Sequence, residues 1–323
     1  MQIIKSYILG DHTLIYILLF FILSQIAVAQ SHYTTRDSLL ASGDSQFRTG
    51  NFKEAEKIYK KILKIDAYDT LALQHMGRIA YLEENWGKTK DYLGKILEKY
   101  ESNSHAHYYL GIAYRESGKY KALLLRKLDW DKARNHFKAI IEQDSLFSDV
   151  LYQYAILLRY RGKYKQALTM AHRQIKLKPE LTIPQVKIFR IYRYFITHRD
   201  EKTVRDWSAE QGTDHALYAV GEAWRRQGKL EQADSLLREM LKDSLRISPS
   251  PLWLSRVKIY TDQEKFYQAD SCFWAAVNKI SNQIDADIIM EDLKYLLKEG
   301  EWLFYLNLDK ISDLKVFIKN FWI

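Results

Sequence analysis

Arginine and tyrosine side chains are the groups in this 323-residue sequence best suited to bind a ligand. Between residues 150 and 199 there are eleven Lys or Arg and a single acid, Glu180, so this stretch has a net charge of +10 against +9 for the whole chain. Arg offers a planar fork that fits carboxylate or phosphate, and Tyr adds rigid apolar contact area. These residues predict recognition of an anionic partner.

The sequence contains none of the short motifs that mark common catalytic or cofactor sites. HExxH, GxSxG, a Walker phosphate loop and a CxxC pair are all missing. His105 and His107 form the densest His pair, but residues two apart on a helix point to different sides and do not easily chelate one metal. Cys272, beside Phe273 and Trp274, is interpreted as a packing residue. We therefore predict no enzyme activity, no metal site and no cofactor.

Small residues recur at a nearly constant interval along the chain. Gly43, Gly77 and Gly111 are 34 residues apart, and Gly221 belongs to the same series. A second glycine follows seven residues later in four units, at Gly50, Gly118, Gly162 and Gly228. Apolar residues at three- and four-residue spacing predict two helices per unit. The second glycine is predicted to end the first helix in the left-handed conformation, and the first to lie where the paired helices cross.

Seven units of this kind cover residues 36 to 283. Their predicted boundaries are 36–69, 70–103, 104–147, 148–181, 182–213, 214–249 and 250–283. Unit 182–213 lacks both glycines, and unit 104–147 carries ten extra residues around 121–130. We expect these extra residues to extend or interrupt a helix that packs Leu123, Leu124 and Leu125 on its neighbour, with a partner-binding lip as the alternative.

This pattern of paired helices with small crossing residues resembles the tetratricopeptide repeat. The resemblance implies an all-α, right-handed α-solenoid of about seven helix hairpins over residues 30–285, with C-terminal capping helices at 286–323. It also implies that the first helices line a concave groove, in which positions 2, 5, 9, 12 and 13 of each unit face a ligand. Position 9, where chaperone-binding members carry an Asn for a terminal carboxylate, is Arg78, Ile112, Ile156, Arg190 and Glu222 here, so that clamp is not inherited.

Applied to this sequence, the resemblance places a row of arginines in the groove. Position 12 is Arg115, Arg159, Arg193 and Arg225 in four successive units. The other predicted groove residues are Arg78, Tyr152, Tyr160, Arg190, Tyr194, Tyr218 and Arg226. Glu116 and Glu222 lie near the row, so a basic face that is neutralised within the chain is the competing interpretation.

Residues 1–29 have the composition of a secretory signal. Lys5 precedes an apolar run from Leu14 to Ile26, and the small residues Ala27 and Ala29 suit a signal peptidase. We expect cleavage near Ala29/Gln30 and a periplasmic or secreted mature chain without a stable membrane span. An uncleaved anchor is the alternative, although the run is shorter than the roughly 20 residues that cross a bilayer.

The C-terminal residues from 286 keep helical spacing but lose the glycines, and they end on Phe321, Trp322 and Ile323. Together with "LRKLDWDKA" and "RQIKLKPEL", this end resembles the helical region that precedes the GWxTD domain in certain secreted bacterial proteins. The GWxTD signature itself is absent, so residues 286–323 are predicted to be a helical cap, with the start of a truncated following domain as the alternative.

The sequence as a whole predicts a non-catalytic protein–protein interaction scaffold, whose basic groove binds an acidic peptide or protein surface. One alternative is a polyanion binder for nucleic acid or acidic glycan, although export disfavours nucleic acid. The other is the tetratricopeptide arm of a larger secreted GWxTD-type protein or assembly factor. The oligomeric state is not predicted.

Overall fold

The computed structural model describes residues 35–242 and 247–322, and these form 17 α-helices with no strand. The predicted all-α architecture is therefore confirmed for this part of the chain. The predicted signal, residues 1–29, lies outside the described residues. The helices are α1 (35–48), α2 (Phe52–Ile65), α3 (Thr70–Leu82), α4 (Trp86–Lys99), α5 (Ser104–Gly118), α6 (Leu123–Gln143), α7 (Val150–Tyr160), α8 (Tyr164–Leu177), α9 (Thr182–His198), α10 (Glu201–Ala209), α11 (Asp214–Arg226), α12 (Leu230–Met240), α13 (Ser250–Asp262), α14 (Phe266–Asn278), α15 (Gln283–Leu293), α16 (Glu299–Leu306) and α17 (Ile311–Trp322).

The chain divides into two compact units between Gln143 and Asp144. In the first, hereafter unit 1, helices α1 to α6 form three hairpins, and consecutive helices pack side by side. In the second, unit 2, helices α7 to α14 form four hairpins. The first helices of these hairpins, α7, α9, α11 and α13, contact one another in order and so make one layer. None of the described helices combines the length and the apolar composition needed to cross a bilayer.

Glycine occupies the helix crossing of four hairpins, as predicted. In each of them an added Cβ would meet a side chain of the second helix: Gly43 against Tyr59 at 2.7 Å, Gly77 against Leu93 at 2.5 Å, Gly111 against Phe137 at 2.6 Å and Gly221 against Leu237 at 3.4 Å. Apolar atoms prefer a separation of about 3.5–4 Å, so three of the four sites have no room for a larger residue. The recurring glycines therefore set how closely the paired helices approach.

The second glycine of the repeat has two different roles. Gly50, Gly162 and Gly228 have φ angles of +78°, +70° and +74°, which is the predicted left-handed helix ending. The same prediction is wrong for Gly118, because this residue remains in α5 as its last helical residue. An added Cβ there would lie 2.9 Å from the Trp130 ring. Gly118 is needed for its small size rather than for its backbone freedom.

The ten extra residues lengthen α6 at its N-terminal end, so this helix has 21 residues. Trp130 of α6 packs on α5 and donates its indole N–H to the Arg115 carbonyl oxygen at 3.1 Å. The expected packing of Leu123, Leu124 and Leu125 on a neighbour is wrong, because all three are exposed. The reason is that α6 enters the core only from Asp129 onward.

The C-terminal helices pack onto unit 2. α15 contacts α9 and α13, and α17 contacts α14 and α15. A short 3-10 helix, Lys294–Leu296, connects α15 toward α16. Met290 of α15 and Leu314 and Ile318 of α17 are fully buried in the core of unit 2. These helices therefore cover apolar surface of the hairpins.

Candidate functional site

Five of the predicted groove arginines belong to unit 2 and lie on neighbouring first helices. We call them the arginine row: Arg159 on α7, Arg190 and Arg193 on α9, and Arg225 and Arg226 on α11. Because α7, α9 and α11 pack in order, the row belongs to a single layer of helices. Its electrostatic state depends on which carboxylates reach each guanidinium.

The two arginines of α9 are neutralised by α15. The ion pairs between α15 and the first helices are Arg190 with Asp287, Arg193 with Glu291, and Lys258 of α13 with Asp292 at 2.7 Å between Nζ and Oδ2. Asp287 and Glu291 are four residues apart and so lie on the same side of the helix. The Tyr305 hydroxyl donates to Asp287 Oδ1 at 3.0 Å and supports this carboxylate from the other side. A helix of the same chain thus supplies acids that the sequence analysis expected from a partner.

The two arginines of α11 are also paired. Arg225 donates from Nε and Nη2 to the two oxygens of Glu222, both at 3.1 Å. Burial alone would raise the pKa of Glu222, but Arg225 lowers it below the usual range, so the carboxylate stays ionised. Arg226 pairs through Nη2 with Glu201 of α10 at 2.8 Å. A partner's carboxylate could therefore bind these two arginines only by displacing Glu222 or Glu201.

Arg159 differs from the rest of the row. Its guanidinium lies over the Tyr160 ring at 4.7 Å and over the Tyr194 ring at 4.8 Å from the centroids. Within the described residues it has no carboxylate partner, and its Nε is buried without a hydrogen-bond acceptor. The Tyr194 side chain is 43% exposed, so one wall of this site faces solvent. Arg159 is held in place by aromatic contacts while its charge remains uncompensated.

Further aromatic and basic side chains extend this site. Tyr194 stacks on Tyr164 and on His198, with ring centroids 6.4 and 5.5 Å apart. Arg199 lies over the Tyr164 ring at 5.1 Å and donates from Nη2 to the Gly162 carbonyl oxygen at 2.9 Å. We call the whole group the tyrosine–arginine cluster: Arg159, Tyr160, Tyr164, Tyr194, His198 and Arg199.

Sequence reasoning missed half of this cluster. Tyr164 follows the helix-ending Gly162 by two residues, which places it beside the C-terminal end of α7, where Arg159 lies. That spacing could have identified it. His198 and Arg199 lie at the C-terminal end of α9, in the repeat 182–213 that lacks both glycines. No repeat position therefore predicted a role for them.

Two predicted groove tyrosines are buried in unit 2 and do not line an open surface. Tyr152 and Tyr218 are 4% and 5% exposed. The Tyr218 ring packs against Phe189 with centroids 4.8 Å apart, and its hydroxyl accepts a hydrogen bond from Ser255 Oγ at 3.4 Å. Burial raises the pKa of Tyr218, so the phenol stays neutral. Tyr218 therefore stabilises the contact of α11 with α9 and α13.

The two predicted groove residues of unit 1 have separate surroundings. Arg78 is exposed and lies over the Phe47 ring at 5.1 Å. Arg115 is buried and pairs through Nε with Glu116 at 2.6 Å. Burial would raise the pKa of Glu116, but Arg115 and Lys119 lower it, so the pair is ionic. Arg115 is therefore a buried structural cation.

The histidines of unit 1 form a pair that the sequence did not predict. His107 Nδ1 lies 2.8 Å from His136 Nδ1, and His107 Nε2 lies 2.7 Å from the Glu101 carbonyl oxygen. Burial lowers the pKa of His136 to about 4, so this ring is neutral near pH 7. In residues 35–242 and 247–322 no three His, Cys, Asp or Glu side chains come together as metal ligands would.

Comparison with known families identifies one repeat. Residues 37–66 match the family model described as tetratricopeptide repeat. This match covers α2 and most of α1, and it confirms the resemblance predicted from the sequence. No curated protein matches the chain. The resemblance to the region before a GWxTD domain has no counterpart among these matches and stays a prediction.

Several solved structures share the helical architecture at low identity. They include a tetratricopeptide repeat protein from Parabacteroides merdae (TM-score 0.41, 18% identity, covering 80% of this chain and 83% of that one), pilF of Pseudomonas aeruginosa (0.46, 12%, 81% and 99%), and a thermophilic tetratricopeptide repeat protein of Thermus thermophilus (0.40, 12%, 74% and 99%). At these TM-scores and identities the similarities carry no argument about partners or activity.

Proposed function

Because residues 37–66 are a tetratricopeptide repeat, we propose that this protein is a non-catalytic scaffold for protein–protein interaction. The described chain consists of helix hairpins and the helices that cover them, and several of its ion pairs link one helix to another. Such a layer of first helices offers a preorganised surface, which lowers the conformational entropy that binding a partner costs.

The partner segment is acidic and binds at the tyrosine–arginine cluster. The observation that carries this proposal is Arg159, which lies between Tyr160 and Tyr194 with a buried Nε that has no acceptor. A buried donor without an acceptor is costly. The Arg159 side chain as a whole is half-buried, and a carboxylate that reached its guanidinium would gain a charge-assisted hydrogen bond. The exposed Tyr194 face adds apolar contact for the segment that carries the carboxylate.

The pairing of the arginine row favours a protein partner over a polyanion. A nucleic acid or acidic glycan needs a continuous strip of cations to replace its counterions. Four of the five arginines in the row already have carboxylates, so the strip is interrupted on both α9 and α11. What remains is a local site around the guanidinium of Arg159, which has no carboxylate partner within the described residues.

Charge reversal at Arg159 tests this proposal. The probe is a short fluorescent peptide of alternating Glu and Tyr, and binding to the whole chain is followed by fluorescence anisotropy. Arg159→Glu should weaken binding roughly 10- to 100-fold, because a hydrogen bond to a charged group contributes about 1.5–3 kcal/mol. Arg159→Lys should retain part of the affinity, since it keeps the charge but not the planar fork.

The matched control is Arg173→Glu on α8, which changes the same residue type in the same unit at an exposed position away from the cluster. It should change the affinity by less than about threefold, because a distant surface charge is screened by salt. Equal losses in the two variants would show that only net charge matters. Tighter binding of heparin or single-stranded RNA that is lost with Arg159→Glu would favour the polyanion alternative.

A further inference from the structure

The lengthened N-terminal end of α6 exposes a group of large apolar side chains. Tyr120, Leu123, Leu124, Leu125 and Leu128 are 82%, 80%, 71%, 53% and 53% exposed, and we call them the leucine tip. Single exposed apolar residues are ordinary on a protein surface, whereas a contiguous group marks a site of contact. The tip belongs to the ten residues that the repeat does not require, so helix pairing does not account for it.

The tip is surrounded by basic side chains. Residues 119–128 include Lys119, Lys121, Arg126 and Lys127 and no acid. Arg126 closes the turn before α6 by donating to the carbonyl oxygens of Lys119 and Lys121 at 3.3 and 3.1 Å. Lys119 pairs with Glu116 and Lys121 with Asp129, whereas Lys127 is exposed without a carboxylate partner within the described residues. A surface that covers the leucines would therefore meet positive charge at its edge.

The area of the tip argues against a second copy of the chain as its cover. Even if they were fully covered, these five side chains offer roughly 600 Å², and a stable interface buries about 800 Å² on each partner. A dimer would therefore need contacts beyond the tip.

We infer that the leucine tip contacts an anionic lipid bilayer. On a helix, Leu124 and Leu128 lie one turn apart on the same side, and Lys127 projects beside them. Leucines on one side of a helix insert at the boundary between headgroups and acyl chains, while lysines extend toward the phosphates. Tyr120, at the start of the tip, suits the headgroup layer. The contact is short and hence reversible, and it does not depend on the acidic-partner site of unit 2.

A local dye on the whole chain tests this inference. Leu124→Cys is labelled with a polarity-sensitive fluorophore and mixed with vesicles of phosphatidylglycerol and phosphatidylcholine. Labelling is selective because Cys272 is buried and burial raises the pKa of its thiol. The matched control carries the label at Leu82→Cys, a 49% exposed leucine of α3 outside the tip. The dye reports its own surroundings, so lipid binding elsewhere on the chain gives no signal.

We expect the emission of the Leu124 label to rise several-fold and shift to shorter wavelength with anionic vesicles, and the Leu82 label to stay unchanged. Phosphatidylcholine alone, or the added substitution Lys127→Glu, should reduce the response several-fold. An unchanged Leu124 label, or an equal response at Leu82, would overturn the inference. A response that grows with protein concentration without lipid, and is lost in Leu123→Ser plus Leu128→Ser, would also overturn it and assign the tip to contact between copies.

Discussion

Gly77 offers the sharpest test of how the hairpins are built. An added Cβ would lie 2.5 Å from Leu93 Cδ2 and 2.6 Å from Cγ. Leu93 would have to retreat by about 1 Å to restore normal contact. It is 1% exposed and packs with Leu73, Ile96 and Leu110, so it has no free volume to enter. The overpacking in Gly77→Ala should therefore cost about 1–3 kcal/mol, before any gain in helix propensity is counted.

A glycine on the partner helix provides the matched control. Gly94 lies inside α4, and an added Cβ there would have no neighbour within 4 Å. Ala favours a helix interior over Gly by about 1 kcal/mol, and this gain applies to both positions. Gly94→Ala should therefore stabilise the protein. The difference between the two variants isolates the steric cost, which we expect to be about 1–3 kcal/mol.

Guanidinium unfolding followed by circular dichroism measures both variants against the parent chain. The slope with denaturant should stay the same, so a shift of the midpoint reports stability. Equal stability of Gly77→Ala and Gly94→Ala would refute the reasoning, because the contact with Leu93 would then have no energetic consequence. In that case Gly77 would not determine how closely α3 and α4 approach each other.

Two further predictions concern buried charge. Burial lowers the folded-state pKa of His136 to about 4. The unfolded chain takes up this proton first as the pH falls below about 6.5, so His136 alone should lower stability by up to about 1.4 kcal/mol per pH unit down to about pH 4. Unfolding curves of His136→Phe between these pH values should show a smaller drop, and an unchanged pH dependence would contradict this assignment. Asp234→Ala should cost about 3–5 kcal/mol, because it leaves the buried Arg256 without its 2.7 Å partner, whereas Glu239→Ala on the same helix breaks only an exposed pair with Lys242 and should cost under about 1 kcal/mol. A similar shift of the thermal midpoint in the last two variants would count against this reasoning.

The hairpins could be predicted from sequence because their partners are neighbours along the chain. Gly43, Gly77 and Gly221 each meet the residue 16 positions later, and a period that is nearly constant carries this information. The prediction for Gly118 is wrong because its role depends on where Trp130 packs against α5. The ten-residue insertion places Trp130 against Gly118, so this glycine is needed for packing and not for ending the helix.

The state of the arginines could not be predicted from the repeat. Arg190 and Asp287 are 97 residues apart, and no periodic signal links a first helix to the non-repeating C-terminal helices. The ion pair between Glu222 and Arg225 was easier to predict, because Glu222 lies three residues before Arg225 on the same helix. The exposure of the leucine tip could not be predicted for a different reason. Apolar residues indicate a buried helix, but composition does not reveal whether α6 extends past the helix that it packs against.

The packing of α15 has a consequence for how this chain can be divided. A fragment that stopped before Gln283 would leave Arg190, Arg193 and Lys258 bare, together with the apolar surface that now covers Met290. Such a fragment would capture acidic molecules through cations that the whole chain keeps occupied. A protein shortened at the end of its repeats would therefore bind acidic molecules that the whole chain does not bind. Pull-downs with the shortened protein would identify ligands of the exposed arginines and lysine and not ligands of the intact protein.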